Sequence, residues 1–353
     1  MKKLILFAAI AAIAVSCAKT SEVNPVSGQA IGFDTWTSNL TKSTHTPFAT
    51  GATFNVYGYK YKTAGEVKTT VFDGDVVTKA SDGSWNYSQI RFWDRNTDSY
   101  TFFAISPSGI TATAPAQTGL FVTNDITFEG QNGDVLVAKK KTISKSDYGL
   151  AVPLEFIPQA ALFDLKVKKA KNLEEANLRV TAVTLKTIKD KGHLTVASYA
   201  GTGKATASWT PFDPVSTNDF DTSDGIIPVE LPVNIAAGAE SWGKANSVFL
   251  INNLIVMPQA LNDEQQKLEI TYTVTFSGET FTHTREIELN KFDSTDMAGE
   301  GRAEEDQNTT PFVTSWEPGK HYTYYLTINA DIITFTATVA DWIDEETYHY
   351  IIN

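Results

Sequence analysis

The stretch that decides the fold is Ser99-Tyr100-Thr101-Phe102-Phe103-Ala104-Ile105. It is almost continuously apolar, which is typical of a central β-strand that is covered on both faces. The runs around it alternate between apolar and polar residues, as in Thr53-Phe54-Asn55-Val56-Tyr57-Gly58-Tyr59 and Trp85-Asn86-Tyr87. Alternation with a period of two indicates strands with one buried face. The sequence therefore predicts a β-sheet centred on residues 99–105.

Further strands are predicted along most of the chain. They cover residues 161–167, 179–186, 247–256, 268–276, 281–289 and 322–328. Asp73-Gly74, Asp82-Gly83 and Asn132-Gly133 are dipeptides typical of hairpin turns. Helix signals are scarce, and residues 173–176 could form only one turn. Many short strands with few helices favour an all-β fold of sandwiches or barrels over alternating βαβ units.

The N-terminus has the pattern of an export signal. Lys2 and Lys3 precede the apolar run 4–15, which would reach about 18 Å as a helix, short of the ~30 Å hydrocarbon core. We therefore expect residues 1–16 to be a signal peptide and Cys17 to be lipidated, so that the membrane is reached through the lipid anchor only. The alternative is an ordinary signal peptide followed by an incidental cysteine.

Composition and the strand pattern suggest how the rest is organised. Residues 17–29 read as a polar tether, followed by an N-terminal domain over 30–171 and a C-terminal domain over 172–353. The boundary is placed where Lys168-Lys169-Ala170-Lys171-Asn172 interrupts the strands. The net charge of −12 repels phosphate backbones, so no nucleic-acid partner is expected. Since Cys17 is the only cysteine, stability must come from burial and sheet hydrogen bonds.

The residue types that carry chemistry do not form a recognisable catalytic motif. The five histidines are scattered, and neither a G-x-S-x-G elbow nor a P-loop occurs. Residues 219–225 resemble a calcium loop, although a solvated loop is the favoured interpretation. Trp85, Trp93, Trp209 and Trp242 could line a sugar platform, but strand aromatics are more often core residues. We predict no catalytic residue, no metal, no cofactor and no enzymatic activity.

The two ends of the chain carry the strongest functional signal. Ile31, Phe33 and Thr35 alternate along a first strand, and Lys42 lies in the small, polar stretch 37–43, which is open to a trypsin-like protease. Near the other end, alternation recurs in two runs. We interpret these two runs as candidate donor strands, which would pair with a neighbouring molecule by β-strand addition. Their alternating residues are Ile333, Phe335, Ala337 and Val339 in the first run, and Tyr348, Tyr350 and Ile352 in the second. The alternative is that these strands complete the chain's own sheet.

Taken in order, these residues resemble the fimbrillin family, the lipoprotein subunits of type V pili. The matching features are Cys17, Ile31-Gly32-Phe33 with Thr41-Lys42-Ser43, Phe54 to Tyr59, Arg91-Phe92-Trp93, Tyr100 to Pro107, Asp134 to Ala138, Leu154-Glu155-Phe156, Pro258-Gln259, Trp316 to Lys320 and Val339-Ala340-Asp341-Trp342. The family often has Arg where this chain has Lys42, and a His where it has Pro158-Gln159.

The resemblance implies two β-sandwich domains of Greek-key, transthyretin-like type. It also implies export as an outer-membrane lipoprotein, assembly at the cell surface into a fimbrium, and a role in cell adhesion. A processing protease would remove the first strand, the N-terminal plug strand, and a strand of another fimbrial subunit would fill the groove. The expected partners are other fimbrial subunits, that protease, and a host protein or glycan receptor. Stalk, tip and anchor roles stay open.

Two other classes of function remain open on the sequence. One is a surface lipoprotein that binds carbohydrate beside an outer-membrane transporter, which would present tryptophans on one face. The other is a glycan-active enzyme, which needs two carboxylates converging in a cleft.

Overall fold

A computed structural model describes residues 29–37, 48–62, 69–113, 119–128, 134–170, 173, 175–213, 215–221, 233–235, 248–262, 264–290, 313–328 and 333–341. For 221, 233–235 and 333–341 only the backbone is described. Across all the described ranges the helical residues are of the 3-10 type, in the turn Lys145–Asp147 and at Leu173, and no helix is long and apolar enough to span a membrane. The prediction of an all-β fold is confirmed.

The strands follow one another as β1 (Phe33–Thr37), β2 (Thr53–Tyr61), β3 (Thr69–Lys79), β4 (Trp85–Tyr87), β5 (Ser99–Ser106), β6 (Phe121–Val122), β7 (Ile126–Thr127), β8 (Leu136–Ala138), β9 (Lys141–Ser144), β10 (Val152–Pro158), β11 (Ala161–Lys169), β12 (Asn177–Lys189), β13 (Lys191–Tyr199), β14 (Ala205–Pro211), β15 (Thr217–Asp221), β16 (Val233–Ile235), β17 (Val248–Val256), β18 (Gln259–Ala260), β19 (Lys267–Phe276), β20 (Glu279–Glu288), β21 (Ser315–Trp316), β22 (Lys320–Ile328) and β23 (Ile333–Asp341).

Sheet A has eight strands in the order β1-β10-β8-β5-β2-β3-β4, with β9 also paired to β5. Within it only the β1–β10 pair is parallel among the described strands. The predicted central strand is confirmed, because every residue of β5 after Ser99 is buried. Its alternate residues enter two different cores: Phe102 lies in one and Phe103 in the other.

Both faces of sheet A are covered, in different ways. On one face the sheet curls over itself, so that Phe33 of β1 meets Tyr87 of β4 with 5.9 Å between ring centroids. On the other face it packs against sheet B, in which β13 pairs with β14, β6 and β7. Leu194 and Val196 of β13 share that core with Tyr57 and Phe103.

The remaining large sheets share one hydrophobic core. Sheet C has the order β17-β11-β22-β23, and sheet D has the order β15-β12-β19-β20 with β16 also on β12. Phe163 and Tyr324 from sheet C and Ile270 from sheet D are fully or almost fully buried in it. Inside this core Trp316 Nε1 donates a hydrogen bond of 3.1 Å to Tyr324 Oη.

The chain crosses between these layers more than once. The chain enters sheet C with β11, which ends at Lys169, where the strand pattern breaks in the sequence. It later returns to sheet B, because β13 pairs with β6 and β7, which come before β11 in the chain. The division of the chain between residues 171 and 172 stays a prediction.

One predicted turn is wrong. Asp73-Gly74 does not turn the chain, because both residues lie inside β3. Along the β2–β3 pair, Val56 faces Asp75 and Tyr57 faces Asp73, so Gly74 is an extra residue in a β-bulge with φ of +80°. A bulge of the G1 type and a type I′ hairpin turn both have a residue at positive φ, so the same glycine fits either. Asp82-Gly83 does turn the chain between β3 and β4, and Asn132-Gly133 lies outside the described residues.

Gly74 provides a direct test of this bulge. Gly74→Ala forces a side chain into a left-handed conformation, which costs about 1–2 kcal/mol, so we expect the free energy of unfolding to fall by that amount in a denaturant titration. Gly109→Ala is the matched control, since Gly109 has open space around its Cα and lacks a positive φ. Equal stability of the two variants would contradict the bulge.

Candidate functional site: the segment that closes sheet A

Residues 29–37, here called the closing segment, fill the gap between two parts of sheet A. On one side β1 runs parallel to β10, with Phe33 beside Val152, and the Val152 N–H donates to the Gly32 carbonyl at 2.8 Å. On the other side Ile31 N–H donates to the Arg91 carbonyl at 2.8 Å. The segment therefore satisfies backbone groups on both of its sides.

The closing segment is further held by groups of β4 and of the β4–β5 connection. The Trp93 backbone N–H donates to the Gln29 carbonyl at 3.0 Å, and Tyr87 Oη at the end of β4 donates to the Ile31 carbonyl at 2.7 Å. Burial raises the pKa of Tyr87 above its ordinary value, so its phenol stays protonated and can donate even in mildly alkaline solution. Arg91 is fixed in turn by Nε, which donates to the Val71 carbonyl at 2.9 Å, and by an ion pair with Asp75.

The apolar side chains of the segment enter a bed of aromatic rings. Ile31 is 1% exposed and Phe33 is 7% exposed. Phe33 makes edge-to-face contacts with four rings at centroid distances of 5.6–6.1 Å: Phe54, Phe72, Tyr87 and Phe102. Such contacts add about 0.5–1.5 kcal/mol each to the area that is buried.

This site also contains unsatisfied polar atoms. Within the described part of the chain, Thr35 Oγ1, Trp85 Nε1 and Trp93 Nε1 are buried without a hydrogen-bond partner. A buried hydroxyl that has lost water without gaining a partner destabilises the fold by about 1–3 kcal/mol. The contact between the closing segment and sheet A is therefore extensive but imperfect.

The structure places only some of the predicted site residues. Ile31, Phe33 and Thr35 are buried on one side of the closing segment. Cys17, Lys42, Tyr348, Tyr350 and Ile352 lie outside the described residues, as do the predicted signal peptide and most of the tether. The candidate donors Ile333, Phe335, Ala337 and Val339 lie on β23, whose backbone pairs antiparallel with β22 in the chain's own sheet C.

Sequence reasoning from the residues alone missed the groups that hold the closing segment. Tyr87 and Arg91 are more than fifty positions from Ile31, which they contact, and the contact follows from the curl of sheet A. The only signal was indirect, since Arg91-Phe92-Trp93 was among the features of the family resemblance.

The structure also shows where most of the candidate tryptophans and part of the loop 219–225 lie. Trp85 and Trp93 are core residues, as strand aromatics usually are, and Trp209 is half-buried with Nε1 bonded to the Gln159 carbonyl at 2.7 Å. Trp242 is not among the described residues. Of the loop 219–225, Asp219 to Asp221 belong to β15, and Asp219 Oδ1 accepts from the Thr187 N–H at 2.8 Å. In the described ranges no group of three or more potential metal ligands comes together.

The fold of one solved fimbrial protein agrees with this architecture. A solved fimbrial protein from Bacteroides vulgatus superposes with a TM-score of 0.62 at 20% identity, over 89% of this chain and 99% of that one. The fimbrial anchor protein Mfa2 from Porphyromonas gingivalis gives a TM-score of 0.32 at 9% identity, over 89% and 97% of the two chains.

Sequence comparison gives the family. Fimbrium subunit Fim1C from Phocaeicola vulgatus is 31% identical over 96 residues, and this match spans about a quarter of each protein (25%). A family model described as fimbrillin-like matches residues 41–342, which is most of the sequence. The chain therefore belongs to the fimbrillin-like family.

Proposed function

We propose that this protein is a fimbrial subunit that is exported as a lipoprotein and assembles by exchange of its closing segment for a strand of another subunit. The observation that carries the proposal is the position of that segment, which fills a groove bounded by β10 and the β4–β5 connection. Membership of the fimbrillin-like family and the likeness to a fimbrial protein of Bacteroides vulgatus support it. The fibre at the cell surface would contribute to adhesion.

Removal of the closing segment would leave a groove of defined chemistry. Nine residues of extended chain cover about 30 Å. The groove would present unpaired backbone groups such as the Val152 N–H and the Arg91 carbonyl, together with the aromatic bed around Phe33. Such an edge is costly in water, and an incoming strand with alternating apolar residues satisfies both needs. Reburial of about 400 Å² of apolar surface corresponds to about 10 kcal/mol as an upper estimate.

The closed form also has a reason to release its segment. Among the described residues the Thr35 hydroxyl is buried without a hydrogen-bond partner. The closing segment therefore fits its groove less well than a strand with an apolar residue at this position would. The donor candidates at Ile333 to Val339 and at Tyr348, Tyr350 and Ile352 offer apolar or aromatic side chains at alternate positions. A donor that replaces the Thr35 side chain by an apolar one would be favoured over the original segment.

The lipid links export to processing in this scheme. Cys17 would hold the precursor at the membrane, and cleavage at Lys42 would release the lipid and the closing segment together. A subunit that resists cleavage would stay attached and act as an anchor. The proposed division into domains 30–171 and 172–353 places the groove in the first and the candidate donors in the second.

Limited digestion with a Lys-specific protease tests the assembly mechanism. We expect cleavage near Lys42, loss of the N-terminal fragment, and oligomers that persist on heating before gel electrophoresis. Lys42→Gln should abolish the oligomers, while Lys62→Gln, the matched control, should leave them unchanged. Digestion that gives only unfolded chains or fragments would show that this chain is not a stalk subunit.

Thr35→Val tests whether the closing segment is imperfectly adapted. Replacing the unpartnered hydroxyl by a methyl group should stabilise the uncleaved chain by about 1–3 kcal/mol and raise its Tm. It should also lower the yield of oligomers after cleavage, because the segment leaves less readily. Thr37→Val on the same strand, at a half-buried position, should change stability by less than about 0.5 kcal/mol. An unchanged or lower Tm for Thr35→Val would contradict this account.

A further inference from the structure

Sheet D ends in a long strand whose outer side is open among the described strands. β20 pairs with β19 through ten residues without a register shift, and β19 is its only described strand partner. The two strands are joined by the two-residue loop Ser277-Gly278, with φ of 51° and 88°. This is a type I′ hairpin, whose twist matches that of the strands.

The open side of β20 has only part of the usual protection of an edge strand. Natural edges are often blunted by proline, charged side chains or a bulge. β20, with the sequence ETFTHTREIE, has charged residues but neither a proline nor a lysine, and it pairs regularly with β19. Phe281 is 53% exposed, and Phe276 at the hairpin end is 57% exposed. These two phenylalanines lie on the same face of the hairpin, because Phe281 pairs with Val274, two residues from Phe276.

Hairpin geometry determines which backbone groups are free to pair outward. A two-residue loop leaves Phe276 and Glu279 as a hydrogen-bonded pair, so the odd-numbered residues of β20 bond to β19. The N–H and C=O groups of Thr280, Thr282 and Thr284 therefore point away from the sheet. The Thr284 carbonyl accepts from Arg285 Nη1 at 3.2 Å, a contact that pairing with another strand would replace. The Oγ1 atoms of Thr284 and Thr271 lie 3.0 Å apart, which agrees with the closer spacing of non-hydrogen-bonded pairs.

The sequence of β20 is complementary to itself in one antiparallel register. With a two-fold axis at Thr282, Thr282 faces its own copy and Thr280 faces Thr284, so the outward backbone groups bond reciprocally. On the other face Phe281 lies opposite His283, and Glu279 lies opposite Arg285. Because of the two-fold symmetry, each of these pairs occurs twice in the interface. The two Phe281 residues are offset by two positions along the paired strands, so their rings are close enough to contact each other.

Registers shifted toward the C-terminal end of β20 are less favourable. An axis at His283 places two histidines opposite each other and leaves the Glu279 carboxylate opposite Ile287. An axis at Thr284 places His283 opposite Arg285, and an axis at Glu286 places two carboxylates opposite each other. Like charges directly opposite destabilise a strand pair. A shift by one residue mismatches the outward backbone groups altogether.

We propose that β20 is an interface for a second copy of this chain, which pairs antiparallel about a two-fold axis at Thr282. The contact extends sheet D into a continuous sheet across two molecules. It is an isologous interface, so it closes at a dimer and does not propagate into a fibre. It uses neither the closing segment nor the candidate donor strands, so it can form independently of the proposed assembly.

Charge reversal tests the interface on the full chain carrying Cys17→Ser, with molar mass measured by light scattering or sedimentation. We expect the parent to dimerise reversibly. Arg285→Glu alone, or Glu279→Arg alone, places like charges opposite each other in two symmetric pairs and should weaken dimerisation about tenfold or more. The double variant Glu279→Arg/Arg285→Glu should restore it, which loss of folding would not. A parent that remains monomeric at high micromolar concentration, or a double variant as weak as the singles, would overturn the proposal.

A cysteine pair tests the register. In the same background, Thr282→Cys introduces one cysteine into each copy, and the two Cα atoms would lie about 5.5 Å apart. This separation suits a disulfide, so oxidation should give a covalent dimer. Thr284→Cys is the matched control, because its two copies would lie about 14 Å apart, four residues along the strands, beyond the reach of a disulfide. Equal crosslinking of the two variants, or crosslinking of the control alone, would overturn the two-fold axis at Thr282.

Discussion

The structure depends on one constraint: sheet A curls so far that its two ends approach, and the gap between them must be filled by extended chain. Backbone N–H and C=O groups that line a buried gap need partners, since leaving them unpaired costs as much as losing hydrogen bonds. The closing segment provides those partners on both sides, to β10 and to Arg91 and Trp93. Because Phe33 sits at the centre of four aromatic rings, the same segment also completes the hydrophobic core.

Local sequence was sufficient for many of the described strands. A continuously apolar run predicted β5, and shorter strand patterns predicted β2, β4, β11, β12, β17, β19, β20 and β22 within a few residues. Burial of one face imposes a period of two, and burial of both faces gives a continuous apolar run. It failed at Asp73-Gly74, where a glycine with φ of +80° marks a bulge instead of a turn. Both structures need that glycine, and only the partner strand distinguishes them. β13 and β14 were not predicted. In β14 alternation produces only half-buried and exposed positions, whereas in β13 Leu194 and Val196 do form a buried stripe.

The arrangement of the sheets could not be predicted in the same way. β11 joins β22 across more than 150 positions, and β13 joins β6 and β7 across about 70. Such pairings are decided by the total burial they allow, which no local pattern records. At the candidate site too, the local pattern could be predicted and the long-range contacts could not. Ile31, Phe33 and Thr35 were identifiable by their alternation, whereas the residues that hold them, Tyr87 and Arg91, were brought to them by the curl.

The backbone groups at the edge of a β-sheet need hydrogen-bond partners, and sheets A and D meet this need in two different ways. At sheet A the edge is filled from within the chain by a segment that carries an unpartnered Thr35 hydroxyl in the described core, so the fit leaves room for a better occupant. At sheet D the edge is open among the described strands, and in the proposed register its residues are complementary to the same strand reversed. A heterologous contact can propagate, whereas a two-fold contact closes. A fibre built through the first edge could therefore be paired laterally through the second without competition, because the two edges belong to different sheets and share no residue.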